Sequence, residues 1–193
     1  NKKFFSIYPG SRLSEINLLT PILFKFVKKM NEKYKDLFFV FHSTSEHVQL
    51  IQNLLLKEGL KNCGAISDEK IKDHILRSSI FALAKSGTIS LEICNAKIPS
   101  IIIYKMGMIN YFIVKMLVKV KFANIINIAA KEEVIPELLQ SKCNPIDIYD
   151  KVDKLLTNKS ALNKQISKTQ EIIKNFKTEN SSKIASTILA NNL

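Results

Sequence analysis

The chain is short of the residues that staple or ligate: 193 residues include three cysteines, three histidines, five glycines and five prolines. Cys63, Cys94 and Cys143 are odd in number, widely spaced and free of any C-x-x-C, which excludes a disulfide framework or a zinc ribbon. Each reads as a small buried hydrophobe, and the missing disulfide pattern suits a reducing cytoplasm. His42, His47 and His74 make no H-E-x-x-H or comparable pair. His42 and His47 flank a strand end and could approach a ligand, but structural or surface roles are expected. No apolar run reaches the roughly 18 residues that span a bilayer. No linker rich in Pro and Gly, heptad seam or internal repeat divides the sequence. The chain enters an apolar strand directly after Asn-Lys-Lys, so no signal peptide is expected. Without an initiator Met, it reads as a piece of something longer.

Acidic residues are the other shortage. Seventeen Asp and Glu stand against 29 Lys and Arg, a formal charge of +12. Between Glu92 and Glu132 there is no acidic residue, while Lys97, Lys105, Lys115, Lys119, Lys121 and Lys131 all fall there, interleaved with Met106, Met108, Tyr111, Phe112 and Phe122. A cationic surface with so much apolar material suits an anionic membrane face better than a nucleic-acid groove. There is no RNP, zinc-finger or homeodomain signature, so no nucleic-acid partner is expected. A buried helix over 111–118 with solvated lysines is the competing reading.

What is present is an alternation of short apolar runs and amphipathic stretches. Phe4, Phe5, Ile7 and Tyr8 predict a buried strand, and Ile16, Leu19, Leu23, Phe26, Val27 and Met30 recur at helical spacing. Leu37 to Phe41 predicts a second strand. Ser43 with Glu46 predicts a capping box for a helix carrying Val48, Ile51 and Leu55, closed by Gly59. A weak strand follows at Cys63 to Ile66, then Ser67-Asp68 opens a helix with Ile71, Ile75 and Leu76. Ile80 to Ala84 and Ser100 to Tyr104 predict two more strands, with a helix holding Ile89, Leu91 and Cys94 between them. From Pro136 onward helix is expected: 137–140, 145–156 and two Lys/Asn-rich helices to Leu193. Repeated βα units argue for an α/β, Rossmann-like doubly wound parallel sheet. The expectation is a single domain, with a βα core over 1–140 and a helical extension over 141–193.

Ligands of such sheets sit beyond the carboxyl ends of the strands. Two loops fall on that edge. Pro9-Gly10-Ser11-Arg12 places a Gly-Ser turn at a helix N-terminus, where the dipole favours an anion, and Arg12 adds a planar fork suited to phosphate. Ser86-Gly87-Thr88 leads a helix whose Glu92 lies one turn beyond Thr88 on the same face. Small residues admit a diphosphate there, and a carboxylate one turn deeper can accept from the vicinal hydroxyls of a ribose. A plain tight turn at the first loop, and a capping Thr88 with a solvated Glu92 at the second, remain open alternatives. Neither loop is a G-x-G-x-x-G fingerprint or a P-loop, which speaks against a dehydrogenase or an NTPase.

Tyr8-Pro9-Gly10-Ser11-Arg12 with Glu15-Ile16 resembles the L-P-G-S-R-x-x-E-I of lipid-A-disaccharide synthases. Ser86-Gly87-Thr88 through Leu91-Glu92 resembles their S-G-T-x-x-L-E, and Tyr104-Lys105-Met106 their Y-[KR]-M. Asn127, Ala130 and Glu133 are similar to L-P-N-x-x-A-G-[KR]-E, and Pro136 to Gln140 to P-E-L-L-Q. The motifs run in order along nearly the whole chain, which looks like the C-terminal, nucleotide-sugar-binding half of these inverting glycosyltransferases of the GT-B fold. The resemblance implies transfer of 2,3-diacylglucosamine from UDP-2,3-diacylglucosamine to 2,3-diacylglucosamine 1-phosphate, in the bacterial cytoplasm and peripheral on the anionic inner leaflet.

By position, the resemblance implies that Arg12 stabilises the leaving UDP as the catalytic contribution of this chain. Gly10, Ser11, Ser86, Gly87 and Thr88 would hold the diphosphate, Glu92 the ribose, and Asn127 the donor sugar. It implies no cofactor and no metal, because positive charge and helix dipoles offset the leaving-group charge. The acceptor domain and the general base would belong to an N-terminal half, from which this chain is either an excised domain or a separately encoded product, so the chain alone should bind donor and transfer nothing. Three positions depart from the family pattern: Lys85 stands for a small residue, Ile126 for Pro and Lys131 for Gly. A UDP-sugar epimerase and a non-catalytic peripheral membrane or scaffold remnant of the fold are the alternatives.

Overall fold

The computed structural model describes residues 2–107 and 122–178. Six strands, Lys3–Tyr8 (β1), Leu37–His42 (β2), Cys63–Ile66 (β3), Ser79–Lys85 (β4), Ser100–Tyr104 (β5) and Glu137–Leu139 (β6), form one sheet in the order β3-β2-β1-β4-β5-β6. Every neighbouring pair is parallel. The helices described are Leu13–Lys33 (α1), Val48–Lys57 (α2), Glu69–Arg77 (α3), Ile89–Asn95 (α4), Ile125–Ala130 (α5), Pro145–Leu156 (α6) and Lys159–Thr178 (α7). No helix among the described residues is long and apolar enough to cross a membrane.

The period-2 alternation of strand side chains divides the core between two faces. On one face Phe5, Ile7, Phe39, Phe41, Phe81, Leu83, Ile101 and Ile103 pack against Ile16, Leu23 and Phe26 of α1, Ile51 of α2, and Ile148 and Val152 of α6. Phe5 is the hub, with ring centroids 5.3 Å from Phe39, 5.4 Å from Phe81 and 5.9 Å from Phe26. Such aromatic pairs add about 0.5–1.5 kcal/mol to the area they bury. On the other face Tyr8, Ala82, Ala84 and Ile102 meet Leu76 of α3, Ile93 and Cys94 of α4, Ile126 of α5 and Ile173 of α7. The small side chains of Ala82 and Ala84 let this layer approach closely. The sheet is covered on both sides, which is what near-continuous apolar strands require.

The strand order fixes where a ligand can sit. The chain steps outward from β1 to β2 and β3, then returns to place β4 on the other side of β1. The connections leaving β1 and β4 therefore diverge to opposite faces and open a crevice at their carboxyl ends. Gly10-Ser11-Arg12 leaves β1 and Ser86-Gly87-Thr88 leaves β4.

Two local expectations are corrected. Residues 137–140, expected as helix, are a three-residue strand followed by a 3-10 turn, Gln140–Lys142. Glu-Leu-Leu has good helix propensity, but four residues cannot offset the cost of nucleating a helix. The outer edge of β5 also needs partners: the Ile102 N–H donates to the Pro136 carbonyl at 2.9 Å, and Ile103 pairs with Leu138. The Ser43–Glu46 capping box does not form either. Ser43 is still leaving the sheet, its N–H given to the Ile66 carbonyl at 2.9 Å. The Thr44 carbonyl accepts from His47 and Val48, so α2 begins only at Val48 and its cap residue, His47, makes no side-chain bond. The stretch from Met108 to Lys121, and with it the helix expected over 111–118, lies outside the described residues, as does everything after Thr178.

The family departure at Lys131 has a visible consequence. This exposed residue closes α5 in the left-handed region, at φ 55° and ψ 18°. A Cβ is penalised there and a glycine is not. We expect Lys131→Gly to raise the unfolding free energy by about 0.5–1 kcal/mol, the relief of backbone strain exceeding the added freedom of the unfolded chain. Urea midpoints of the two proteins check this, at unchanged slope.

Candidate functional site

Both loops picked out by sequence, together with Glu92, line one cleft of about 370 Å³ at the switch point. This volume falls within the range of small-molecule sites. Gly10, Ser11 and Glu15 contribute from the β1 side, and Lys85, Ser86, Gly87, Thr88 and Glu92 from the β4 side. Tyr8 and His42 lie at the strand ends, their rings stacked 4.2 Å apart. Glu69, Lys72 and Asp73 of α3 complete the lining opposite.

The first loop is built around Glu15. Its carboxylate accepts from the N–H groups of Ser11 at 3.2 Å and Arg12 at 3.4 Å, and pairs with Lys85 at 2.9 Å. It thereby ties the loop after β1 to the end of β4. It also occupies the N–H groups that a Gly-Ser turn offers an anion, so the turn does not present them freely to phosphate. The need for Gly10 follows: at φ +112°, an added Cβ would lie 2.8 Å from the Cβ of Glu15. Lys85, the departure from the family's small residue, is the cation that makes this tie.

Burial pushes the Glu15 carboxyl up, but the hydrogen bonds and charge from Lys85 and the two N–H groups outweigh it and hold it below its ordinary value. A depressed carboxylate stabilises fully above its unfolded pKa, about 4.3, and its contribution is lost as pH falls through the folded value. We expect Glu15→Gln to cost about 1–2 kcal/mol at neutral pH. Thermal melts of the two proteins should converge as pH drops below about 4.

The charges of the cleft are mostly spent on each other. Lys72 pairs with Glu69 at 2.7 Å, Lys85 with Glu15, and Asp73 with Arg77 at 2.8 Å. Glu92 has no ion-pair partner among the described residues, and its charge, after burial, raises the Tyr8 phenol well above its ordinary range. Arg12 does not line the cleft. Its side chain is 80 % exposed, and its contact with Glu15 is a loose 3.8 Å. It is a cation next to the site with little to hold it elsewhere. Thr88 is the cap residue of α4 but makes no side-chain capping bond, which leaves its hydroxyl available to the cleft.

The structure places Asn127, expected at the donor sugar, as a buried brace behind the cleft. It is 0 % exposed and absent from the lining. Its Oδ1 accepts from the N–H groups of Val134 and Ile135, both at 2.9 Å. Its Nδ2 donates to the Ile135 carbonyl and to Glu137, both at 2.7 Å. Glu137 in turn accepts from the N–H groups of Ala123 and Asn124, and the Ala123 carbonyl accepts the Ser86 hydroxyl at 2.7 Å. Asn127 thus reaches the cleft only through the loop that holds Ser86.

The sequence reading passed over Tyr8, Ser43, Thr44 and the polar face of α3 as lining. Their signal is topological rather than motif-like: they come to the same edge only once α3 crosses back over the sheet. Burial raises the thiols of Cys63 and Cys94 to about 12 and that of Cys143 to about 11, so none is a nucleophile near neutral pH. Among the described residues no group of three or more His, Cys, Asp or Glu is placed to hold a metal ion.

Comparison with known proteins places this chain in a family. The model of the lipid-A-disaccharide synthetase family matches residues 1–190. The lipid-A-disaccharide synthase of Sulfurihydrogenibium sp. (strain YO3AOP1) is 33% identical over 171 residues, covering 83% of this chain and 43% of that protein. The Rickettsia typhi synthase is 32% identical over 177 residues, covering 92% and 46%. The chain therefore spans less than half the length of these curated relatives. Among solved structures, Staphylococcus aureus TarM in complex with Fondaparinux, alpha-GlcNAc-glycerol and UDP superposes at a TM-score of 0.65 with 15% identity, over 98% of this chain and 35% of that one. UDP-GlcNAc 2-epimerase from Neisseria meningitidis, bound to UDP-GlcNAc, gives 0.59 with 13% identity, over 93% and 46%. At such identities the likeness is one of fold, the parallel α/β domain found in GT-B glycosyltransferases. With the family model matching almost from end to end, the chain belongs to the lipid-A-disaccharide synthetase family.

Proposed function

We propose that the cleft holds the UDP part of a UDP-sugar, and that this chain supplies the donor-binding portion of a lipid-A-disaccharide synthase. The observation that carries this reading is the convergence of Gly10-Ser11, Ser86-Gly87-Thr88 and Glu92 in one cleft at the switch point. The diphosphate lies between the two loops. It is met by the Thr88 hydroxyl and by Arg12 swung in from solvent, because the lining cations are already neutralised by their own partners. No metal is needed in this arrangement. The Glu92 carboxylate, which has no ion pair among the described residues, accepts from the two vicinal ribose hydroxyls.

In the reaction, the acceptor hydroxyl oxygen attacks the anomeric carbon of the 2,3-diacylglucosaminyl group. The bond from that carbon to the β-phosphate oxygen breaks with inversion, UDP leaves, and the hydroxyl proton passes to a base. The base and the 2,3-diacylglucosamine 1-phosphate site belong to the remainder of the enzyme. Both substrates carry acyl chains, so we place the reaction at the anionic inner leaflet, which suits the cationic, apolar composition of 104–122.

A reconstitution tests the reading. The chain alone is expected to give no disaccharide from the two lipid substrates. Mixed with the N-terminal half of a family member, it should give disaccharide and UDP in equal amounts. An assembled pair that makes no product contradicts the assignment.

A further inference from the structure

His42 is a buried polar group that the proposed reaction does not use. It is 3 % exposed, lies at the carboxyl end of β2 and lines the cleft. Its protonation is dictated by a chain of hydroxyls beneath it. The Ser79 hydroxyl donates to the Ile75 carbonyl at 2.8 Å, which uses its one proton. In the 2.8 Å contact between Ser79 and Ser6, Ser6 must therefore be the donor. With its proton spent, Ser6 Oγ accepts from His42 Nε2 at 2.8 Å, so Nε2 carries the hydrogen. Burial, and after it the positive charge of Lys72, pushes the imidazole down to about 3, so the ring is neutral under ordinary conditions. Nδ1 is left as an acceptor that cannot become a donor without breaking the Ser6–Ser79 chain. The stack on Tyr8 fixes the ring plane.

Among the described residues Nδ1 has no hydrogen-bond partner, and neither do Ser43 Oγ and Thr44 Oγ1, the next two residues along, which also line the cleft. Three polar groups shielded from water without partners are costly in an interior and are a site's way of selecting a matching ligand. Their order is a fixed acceptor beside two hydroxyls free to donate. Its complement is a donor N–H beside a carbonyl oxygen, as the imide edge of uracil presents. Cytosine presents an acceptor nitrogen at the same place. The position also fits: β2 lies on the far side of β1 from β4, one strand spacing, ~4.8 Å, beyond the loops assigned to the diphosphate.

We propose that His42 Nδ1, with the Ser43 and Thr44 hydroxyls, reads the imide edge of the nucleotide base, and that the Ser6–Ser79 chain sets this specificity by fixing the tautomer. This rests on the cleft being the nucleotide site proposed above.

Calorimetric titration of the full chain with UDP and with CDP tests it, alongside His42→Gln, Ser6→Ala and Glu92→Ala, each shown to be folded by its melting curve. Wild type is expected to bind UDP at least about tenfold more tightly than CDP. His42→Gln, whose amide turns either way, should bring the two within about threefold. Ser6→Ala releases the tautomer and should narrow the ratio chiefly by tightening CDP. In 15N spectra of the wild-type histidines, the unprotonated Nδ1 signal of His42 should move with UDP and not with CDP, a readout that needs no variant. Equal binding of both nucleotides, weakened alike by Glu92→Ala, leaves the nucleotide site standing and overturns the role of His42. So does a UDP preference that both His42→Gln and Ser6→Ala leave intact, or an unmoved Nδ1 signal. Folded wild type that binds neither nucleotide overturns both proposals.

Discussion

Asn127→Ala is expected to lower the unfolding free energy by about 3–5 kcal/mol. Four hydrogen bonds end on this one buried amide. Truncation strands the Ile135 N–H, its carbonyl and part of the Glu137 carboxylate in an apolar layer with Ile126 and Ile135, and leaves the Val134 N–H only its 3.1 Å bond to the Glu132 carbonyl. Each backbone group left without a partner costs about 1–3 kcal/mol, and a cavity adds to it. Guanidinium unfolding measures the loss directly. The folded variant should bind UDP about as wild type does, since Asn127 acts on Ser86 only through Glu137 and Ala123. A loss below about 1 kcal/mol, within the range of an ordinary surface substitution, would contradict the bracing role.

Much of this molecule was legible from period and punctuation. All of Ile16, Leu19, Leu23, Phe26, Val27 and Met30 are buried on one face of α1, because the helical repeat leaves no other way to hide them. The β3 strand and the Asp68 cap of α3 stand where the residues pointed, the latter accepting from the Ile71 N–H at 3.0 Å. What misled were places where a distant partner decides. Glu137 to Leu139 is strand only because β5 presents an open edge, and nothing local in Glu-Leu-Leu says so. Asn127 looks like a ligand contact by position in its motif, yet its bonds go to residues seven to ten further along. The Gly10 turn reads as an anion cradle, but a carboxylate from its own helix already fills it. His42 could be placed at a strand end but not oriented, since its tautomer depends on Ser79, brought alongside by the return of β4 next to β1.

Glu92→Ala is expected to weaken UDP binding by about 10–100-fold, the worth of a carboxylate accepting from two hydroxyls in a partly enclosed site, 1.5–3 kcal/mol. Glu92 has no ion pair to lose among the described residues, so little of this should appear as instability. That separates it from Glu15→Gln, which unties two loops. Removal of the 2′-hydroxyl from the ligand should mimic part of the effect: 2′-deoxy-UDP binds wild type more weakly, and Glu92→Ala scarcely distinguishes it from UDP. Arg12→Ala should cost about tenfold and flatten the salt dependence, because it removes the cation nearest the diphosphate that has no close partner. A buried general base would show a different signature, a loss of turnover with binding retained.

Calorimetric titration of UDP into the folded chain, wild type against Glu92→Ala and Arg12→Ala, tests the donor-site assignment most directly. One UDP per chain, bound by wild type and weakened by each substitution without loss of melting temperature, is the predicted result. No UDP bound by folded wild type, or equal affinity in all three proteins, would contradict it.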